Sequence, residues 1–154
     1  MCVILQKAYI FDCEKIHQMQ VVSFTHLLDK YGDINTNPAS ESVDQVVRKM
    51  NQDFTDYYFI RCDDEIIGAI RIVRLQENIC RISPMFILPE FQGKGFAQQT
   101  IANIERLYPY AVGWQLDTIK EEPMLCHLYE KMGYQRTGKE KIIQDNMTIV
   151  YYEK

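Results

Sequence analysis

Two stretches of this chain carry residue types that could do chemistry. The first runs from Met85 to Gln98 as Met-Phe-Ile-Leu-Pro-Glu-Phe-Gln-Gly-Lys-Gly-Phe-Ala-Gln. Its apolar run stops at Pro89, Gly93 and Gly95 make a turn around Lys94, and a helical pattern begins at once. Ala97, Ile101, Ile104 and Tyr108 step by four, three and four, one face of a helix. The order is therefore strand, glycine turn, helix N-terminus. The first N–H groups of a helix lack intrahelical acceptors, and the helix dipole favours negative charge there. Gly93 and Gly95 lack the Cβ atoms that would keep an anion away. The expected chemistry is a phosphate cradle. The second stretch, from Asp117 to Tyr134, supplies a strand carboxylate, a Cys126-His127 pair and a helical tyrosine, Tyr129. Adjacent helix residues do not face one another, so Cys126 and His127 read as a buried thiol beside a surface imidazole, not as a nucleophile with its base.

The elements that must position these residues follow in chain order. Cys2 to Tyr9 reads as a first strand, and Asp12 as the cap of a helix with Phe24, Leu27, Leu28 and Tyr31 on its apolar stripe. Gly32 ends that helix. A polar run from Asp33 to Glu41 leads to a capping box, Ser42 with Gln45, and a second helix through about Met50. Tyr57–Cys62 and Ile66–Leu75 read as a hairpin around Asp63-Asp64-Glu65, followed by a strand from Ile79 to Leu88. Pro84 cannot donate to a ladder, so it marks a bulge that frees backbone groups for a ligand. Trp114 to Ile119 follows the glycine-turn helix, so strand-helix-strand implies a parallel pair here. Pro123 opens a last helix and Gly133 closes it. Gln135–Gln144 and Met147–Tyr152 form a closing hairpin that turns at Asp145-Asn146.

Composition bounds the function. A chain of 154 residues is expected to be one domain over 1–154 with a sizeable core. A net charge of −4 leaves no basic stripe for nucleic acid. No apolar run is long enough to cross a bilayer, and Lys7, Asp12, Glu14 and Lys15 interrupt the N-terminal region where a signal peptide needs unbroken apolar sequence. The five cysteines are odd in number and scattered, which suits reduced thiols in a cytoplasmic protein. His17 and His26, nine residues apart on one helix, are too far apart to share a metal ion, and no metal is assigned.

The two familiar phosphate loops do not fit. A P-loop needs four residues between its glycines, and the dinucleotide fingerprint needs a third glycine where Gln98 stands. Gln92-Gly93-Lys94-Gly95-Phe96-Ala97 instead resembles the Gln/Arg-x-x-Gly-x-Gly/Ala loop of the GNAT N-acetyltransferases, and Leu128-Tyr129-Glu130-Lys131-Met132-Gly133-Tyr134 resembles that family's second signature. The resemblance covers Tyr57 to the C-terminus well and the N-terminal helices loosely. It implies an α/β acyl-CoA N-acyltransferase fold, with a mixed, mostly antiparallel central sheet flanked by helices. It also implies acetyl-CoA as cofactor and a primary amine as acceptor: a small molecule, a polyamine, or a peptide or protein amine. Met85, Phe86 and Ile87 match the strand end that pairs with the pantetheine arm. Gly93, Lys94, Gly95, Phe96, Ala97 and Gln98 match the pyrophosphate loop, with Lys94 itself a solvated side chain. Tyr129 matches the tyrosine beside the thioester sulfur.

Asp117 is the candidate base on the same resemblance, at a strand position where some members place a glutamate; a plain ion pair is the equal alternative. Glu77, Glu121 and Glu122 rank below it. An N–H near Ile87 could receive the developing oxyanion. One departure stands out, since the asparagine that many members carry before the tyrosine is absent and Glu122 occupies one common position for it. That absence keeps open a second class of function, a non-catalytic acyl-CoA sensor or scaffold. Acid at Asp33, Glu41, Glu121 and Glu122 gives a faint hint of a cationic acceptor. The sequence leaves the acceptor and the oligomeric state open.

Overall fold

The computed structural model describes residues 2–154. Seven strands form one sheet, β1 (Val3–Lys7), β2 (Thr55–Cys62), β3 (Glu65–Arg74), β4 (Ile79–Ile87), β5 (Gly113–Ile119), β6 (Gln135–Gln144) and β7 (Met147–Glu153), in the order β1-β2-β3-β4-β5-β7-β6. Every neighbouring pair is antiparallel except β4 with β5. The helices are α1 (Cys13–Tyr31), α2 (Val43–Met50), α3 (Phe96–Leu107) and α4 (Pro123–Lys131). This is the fold the resemblance implies, a mixed and mostly antiparallel sheet flanked by helices.

Strand alternation sorts the core into two layers. On one face Ile70, Ile72, Ile82 and Leu116 pack with Ile101 and Ile104 of α3 and Cys126 and Tyr129 of α4. On the other, Tyr57, Phe59, Ala69 and Phe86 pack with Cys13, Ile16 and Met19 of α1 and Val46 of α2. The expected caps are largely realised. Ser42 and Gln45 form a reciprocal capping box, and Gly32 closes α1 with φ 66°. Asp12 differs from its expectation, because its carboxylate accepts the Tyr9 N–H at 2.9 Å and leaves the first turn of α1 uncapped. A short 3-10 turn, Ile10–Asp12, precedes α1 and uses that side chain first.

Two features of the sheet position the site. The parallel pairing of β4 with β5 covers only Ile79–Arg81 against Gly113–Gln115, so the two strands separate beyond Arg81. The register of β4 against β3 also shifts between Ile70 and Ile72, where Ser83 and Pro84 lie, as a proline without an N–H requires. The helix that follows is tied down at both ends. Gln99 and Asn103 bond the backbone of Val3 at 3.2 and 2.9 Å, and Tyr108, just past the end of α3, donates to Asp56 of β2 at 2.6 Å. Among the described residues no helix is long and apolar enough to cross a membrane, and no cluster of metal-ligating side chains occurs.

Candidate active site

Beside the end of β4 lies a cleft of about 380 Å³, walled by that strand end, the glycine turn, α1 and α4. Leu88 donates its N–H to the Ile67 carbonyl of β3, so by antiparallel alternation Ile87 and Met85 turn their backbone groups away from β3 and toward the gap. The Ile87 carbonyl is taken by the Gln92 side chain at 2.8 Å. The Ile87 N–H remains available, and it is the donor expected for an oxyanion. Phe86 points its ring to the other face, where it meets Phe24 of α1 edge to face with centroids 5.7 Å apart.

The glycine turn has the backbone geometry that the expected anion cradle requires. Gly93 and Gly95 sit at φ 75° and 82°, in the left-handed region that glycine enters without strain. Nothing lies within 4 Å of the Cβ position at either residue, so the space before the turn is open. Among the described residues the N–H groups of 93–98 find no acceptor, and the first to do so is that of Gln99, which donates to the Gly95 carbonyl at 3.2 Å. Six consecutive unpaired donors at a helix start fit a pyrophosphate well. Phe96 is buried and anchors the helix start, while Ala97 and Gln98 line the cleft. Lys94 is exposed and extends over the Phe91 ring at 5.8 Å, in keeping with a solvated side chain.

Tyr129 belongs to the core and to the cleft at once. Its ring packs against Tyr134 and Tyr152, both with centroids at 6.3 Å, yet the residue also lines the cleft. Burial, with smaller contributions from Asp117 and Cys126, holds its phenol well above the ordinary value, so the hydroxyl keeps its proton. Asp117 lies on β5 outside the cleft lining, paired with Arg81 at 2.5 Å. Burial raises its carboxyl and the Arg81 charge opposes the rise. The structure therefore brings together Met85, Phe86, Ile87, the glycine turn and Tyr129, and sets Asp117 aside from them.

Glu122, in place of the family asparagine, stands at the rim. It accepts from Lys30 at 2.6 Å and Tyr31 at 2.5 Å, which fastens the end of α1 to the start of α4. Burial would raise its carboxyl, but those bonds outweigh burial, and its value is lowered. The other acids that hint at a cationic acceptor are likewise engaged. Asp33 accepts from its own loop, Glu41 pairs with Lys49, and Glu121 accepts the Thr148 N–H at 2.8 Å.

Three contributors escape a reading of the sequence. Ser23 and His26 of α1 line the cleft opposite Tyr129's helix, and their only signal in sequence is a place on an amphipathic helix. Gly68 of β3 lies opposite Ile87, and a Cβ there would meet the Phe86 carbonyl oxygen at 2.1 Å. An isolated glycine inside a strand is the signal for such a close approach. Gly68→Ala must push the end of β4 outward, costing about 1–3 kcal/mol and misdirecting the Ile87 N–H. Thermal unfolding and acetyl-CoA affinity measured together should both fall.

The model of the "Acetyltransferase (GNAT) domain" family matches residues 28–154 of the chain. No curated protein matches it by sequence. Among solved structures, it is similar to the PaiA N-acetyltransferase of Thermoplasma acidophilum in complex with coenzyme A (TM-score 0.78, 14% identity, covering 98% of this chain and 98% of that one). It is also similar to the spermidine N-acetyltransferase of Vibrio cholerae in complex with CoA and spermine (TM-score 0.76, 18% identity, covering 99% and 94%). An acetyltransferase of Thermus thermophilus gives a TM-score of 0.75 at 12% identity, covering 100% and 97%.

Proposed function

The chain belongs to the GNAT acetyltransferase family, and on that premise we propose direct transfer of acetyl from acetyl-CoA to a primary amine. The observation that supports this reading is one cleft lined by Met85 and Ile87 of β4, Gly93, Gly95 and the first residues of α3, and Tyr129 of α4. Acetyl-CoA, when bound, supplies a thioester carbonyl open to attack and a thiolate as leaving group. The residue 93–98 N–H groups hold the pyrophosphate. The edge of β4 orients the pantetheine arm as an added strand would, and the Ile87 N–H donates to the carbonyl oxygen as charge gathers there. Tyr129 donates to the sulfur.

The acceptor amine has to lose a proton first, since its unperturbed pKa of ~10.4 keeps it charged at neutral pH. Asp117 is the proposed base, acting through water from its place on β5. Asp117→Asn should lower turnover most near neutral pH and recover in part as pH rises, because alkali deprotonates the amine without help. A pH–rate profile parallel to that of the parent would make Asp117 the partner of Arg81 and nothing more.

The proposal is tested by release of free thiol from acetyl-CoA over amines, polyamines and peptides. Turnover with any amine supports transfer. Thermal stabilisation by acetyl-CoA with no release over the whole panel would favour the non-catalytic sensor.

A further inference from the structure

With acetyl-CoA held at the glycine turn as proposed above, an acceptor amine reaches the thioester from the opposite wall of the cleft, that of α1 and the first turns of α4. Phe24 and Leu27 of α1 are three residues apart and so on one helix face. They line the cleft there with Met124, Leu125 and Leu128 of α4. Phe24 meets Phe86 edge to face, on the α1 side of the sheet. Met124, the second residue of α4, carries this apolar lining out to solvent, with 80% of its surface exposed. A continuous apolar strip of this kind marks a ligand groove, unlike a scatter of single surface residues.

Among the described residues the same wall offers no unpaired carboxylate and no lysine or arginine. Glu122 is the one carboxylate that lines the cleft. Lys30 takes its charge at 2.6 Å, and the Tyr31 hydroxyl donates to the same oxygen at 2.5 Å. Ser23 adds little, because its Oγ has almost no exposed surface. His26 and His127 stand exposed at the rim, one on each helix, and an imidazole presents an apolar ring with a polar tip. A second ammonium or a carboxylate on the acceptor would shed water here without gaining an opposite charge, which is costly. An alkyl or aryl body gains by leaving water.

Resting on the amine acetyltransfer proposed above, we propose that the acceptor is a primary monoamine with an apolar alkyl or aryl body, which lies between α1 and α4 against Phe24, Leu27 and Met124 while its nitrogen attacks the acetyl carbonyl at Ile87. The C–S bond breaks as the N–C bond forms. Of the two protons that the ammonium loses, one ends on the thiol and one in solvent. A polycation, which the acids of the sequence hint at, is disfavoured, because Asp33, Glu41, Glu121 and Glu122 already have partners.

The test compares kcat/KM at one pH for hexylamine, for ethylamine, which lacks most of the chain, and for 1,6-diaminohexane, which adds a second ammonium to it. Each methylene taken out of water is worth about fourfold, so the parent should prefer hexylamine to ethylamine by about a hundredfold. It should prefer hexylamine to the diamine by about tenfold or more, the cost of an ammonium left without a partner. Met124→Glu puts a carboxylate on this wall at an exposed position, in a first helical turn where acid is favoured, so the fold is retained. It should lower both ratios, the second by about tenfold, through KM of the diamine. Phe24→Ala removes apolar wall without adding charge, so it should lower the first ratio by roughly tenfold and leave the second as it is. A parent that turns over amines but favours ethylamine or the diamine, or variants that leave both ratios unchanged, would overturn this assignment while acetyltransfer stands. Absence of turnover with every amine would remove both.

Discussion

Gly95→Glu abolishes the thermal stabilisation that acetyl-CoA gives the parent protein. At a hundredfold excess over its dissociation constant a ligand adds about 2.7 kcal/mol, a shift of roughly 5–10 °C for a chain of this size. The variant places a carboxylate beside six N–H groups, those of 93–98, that find no acceptor among the described residues. It opposes the phosphates by charge and fills the open space before the turn. The φ of 82° makes any side chain there strained, at a cost of about 1–3 kcal/mol. Gly95→Ala separates the two effects, since it carries the same strain without the charge or most of the bulk. The alanine variant should melt lower than the parent and still be stabilised by acetyl-CoA, whereas the glutamate variant should melt lower and show no shift. Equal stabilisation of glutamate variant and parent would remove the pyrophosphate from this turn.

The glycine-turn side of the cleft is legible in the sequence because it is built from contiguous backbone. A strand, a turn with two glycines and a helix start are encoded within Met85–Gln98, and their geometry follows from local rules. The strands and α4 are legible for the same reason, and the sheet realises the expected hairpins and the parallel β4–β5 pair. Contacts between residues far apart in the chain are not legible in that way. Arg71 looks like any strand arginine until the pairing with Tyr57 and the passage of α1 above it bury both. Glu122 reads in sequence only as a substitute for asparagine, and its fastening of α1 through Lys30 and Tyr31 spans more than ninety residues. Asp117 shows the limit from the other side: a carboxylate on an apolar strand is visible, but its engagement with Arg81, thirty-six residues away, is not.

Tyr129→Phe should leave acetyl-CoA affinity nearly unchanged and slow turnover by roughly a hundredfold or more, the low end of general acid–base contributions. The ring of Tyr129 packs with Tyr134 and Tyr152, and phenylalanine keeps that packing, so the loss is confined to one hydroxyl. A phenol near ~10 is a weaker acid than a thiol near ~8.5, so full proton transfer to the sulfur is uphill by about 2 kcal/mol. Burial lifts the Tyr129 phenol further and widens that gap. On the proposed mechanism the tyrosine holds its proton and shares it in a hydrogen bond with the sulfur, with full transfer late or through solvent. Such a bond strengthens as negative charge develops and contributes little to the bound ground state, so it appears in kcat and not in cofactor affinity. The two quantities must be measured on the same preparations with one active amine. A parent-like kcat in the phenylalanine variant would return Tyr129 to the hydrophobic core alone. A loss of affinity equal to the loss of turnover would show that the hydroxyl binds acetyl-CoA without favouring its reaction.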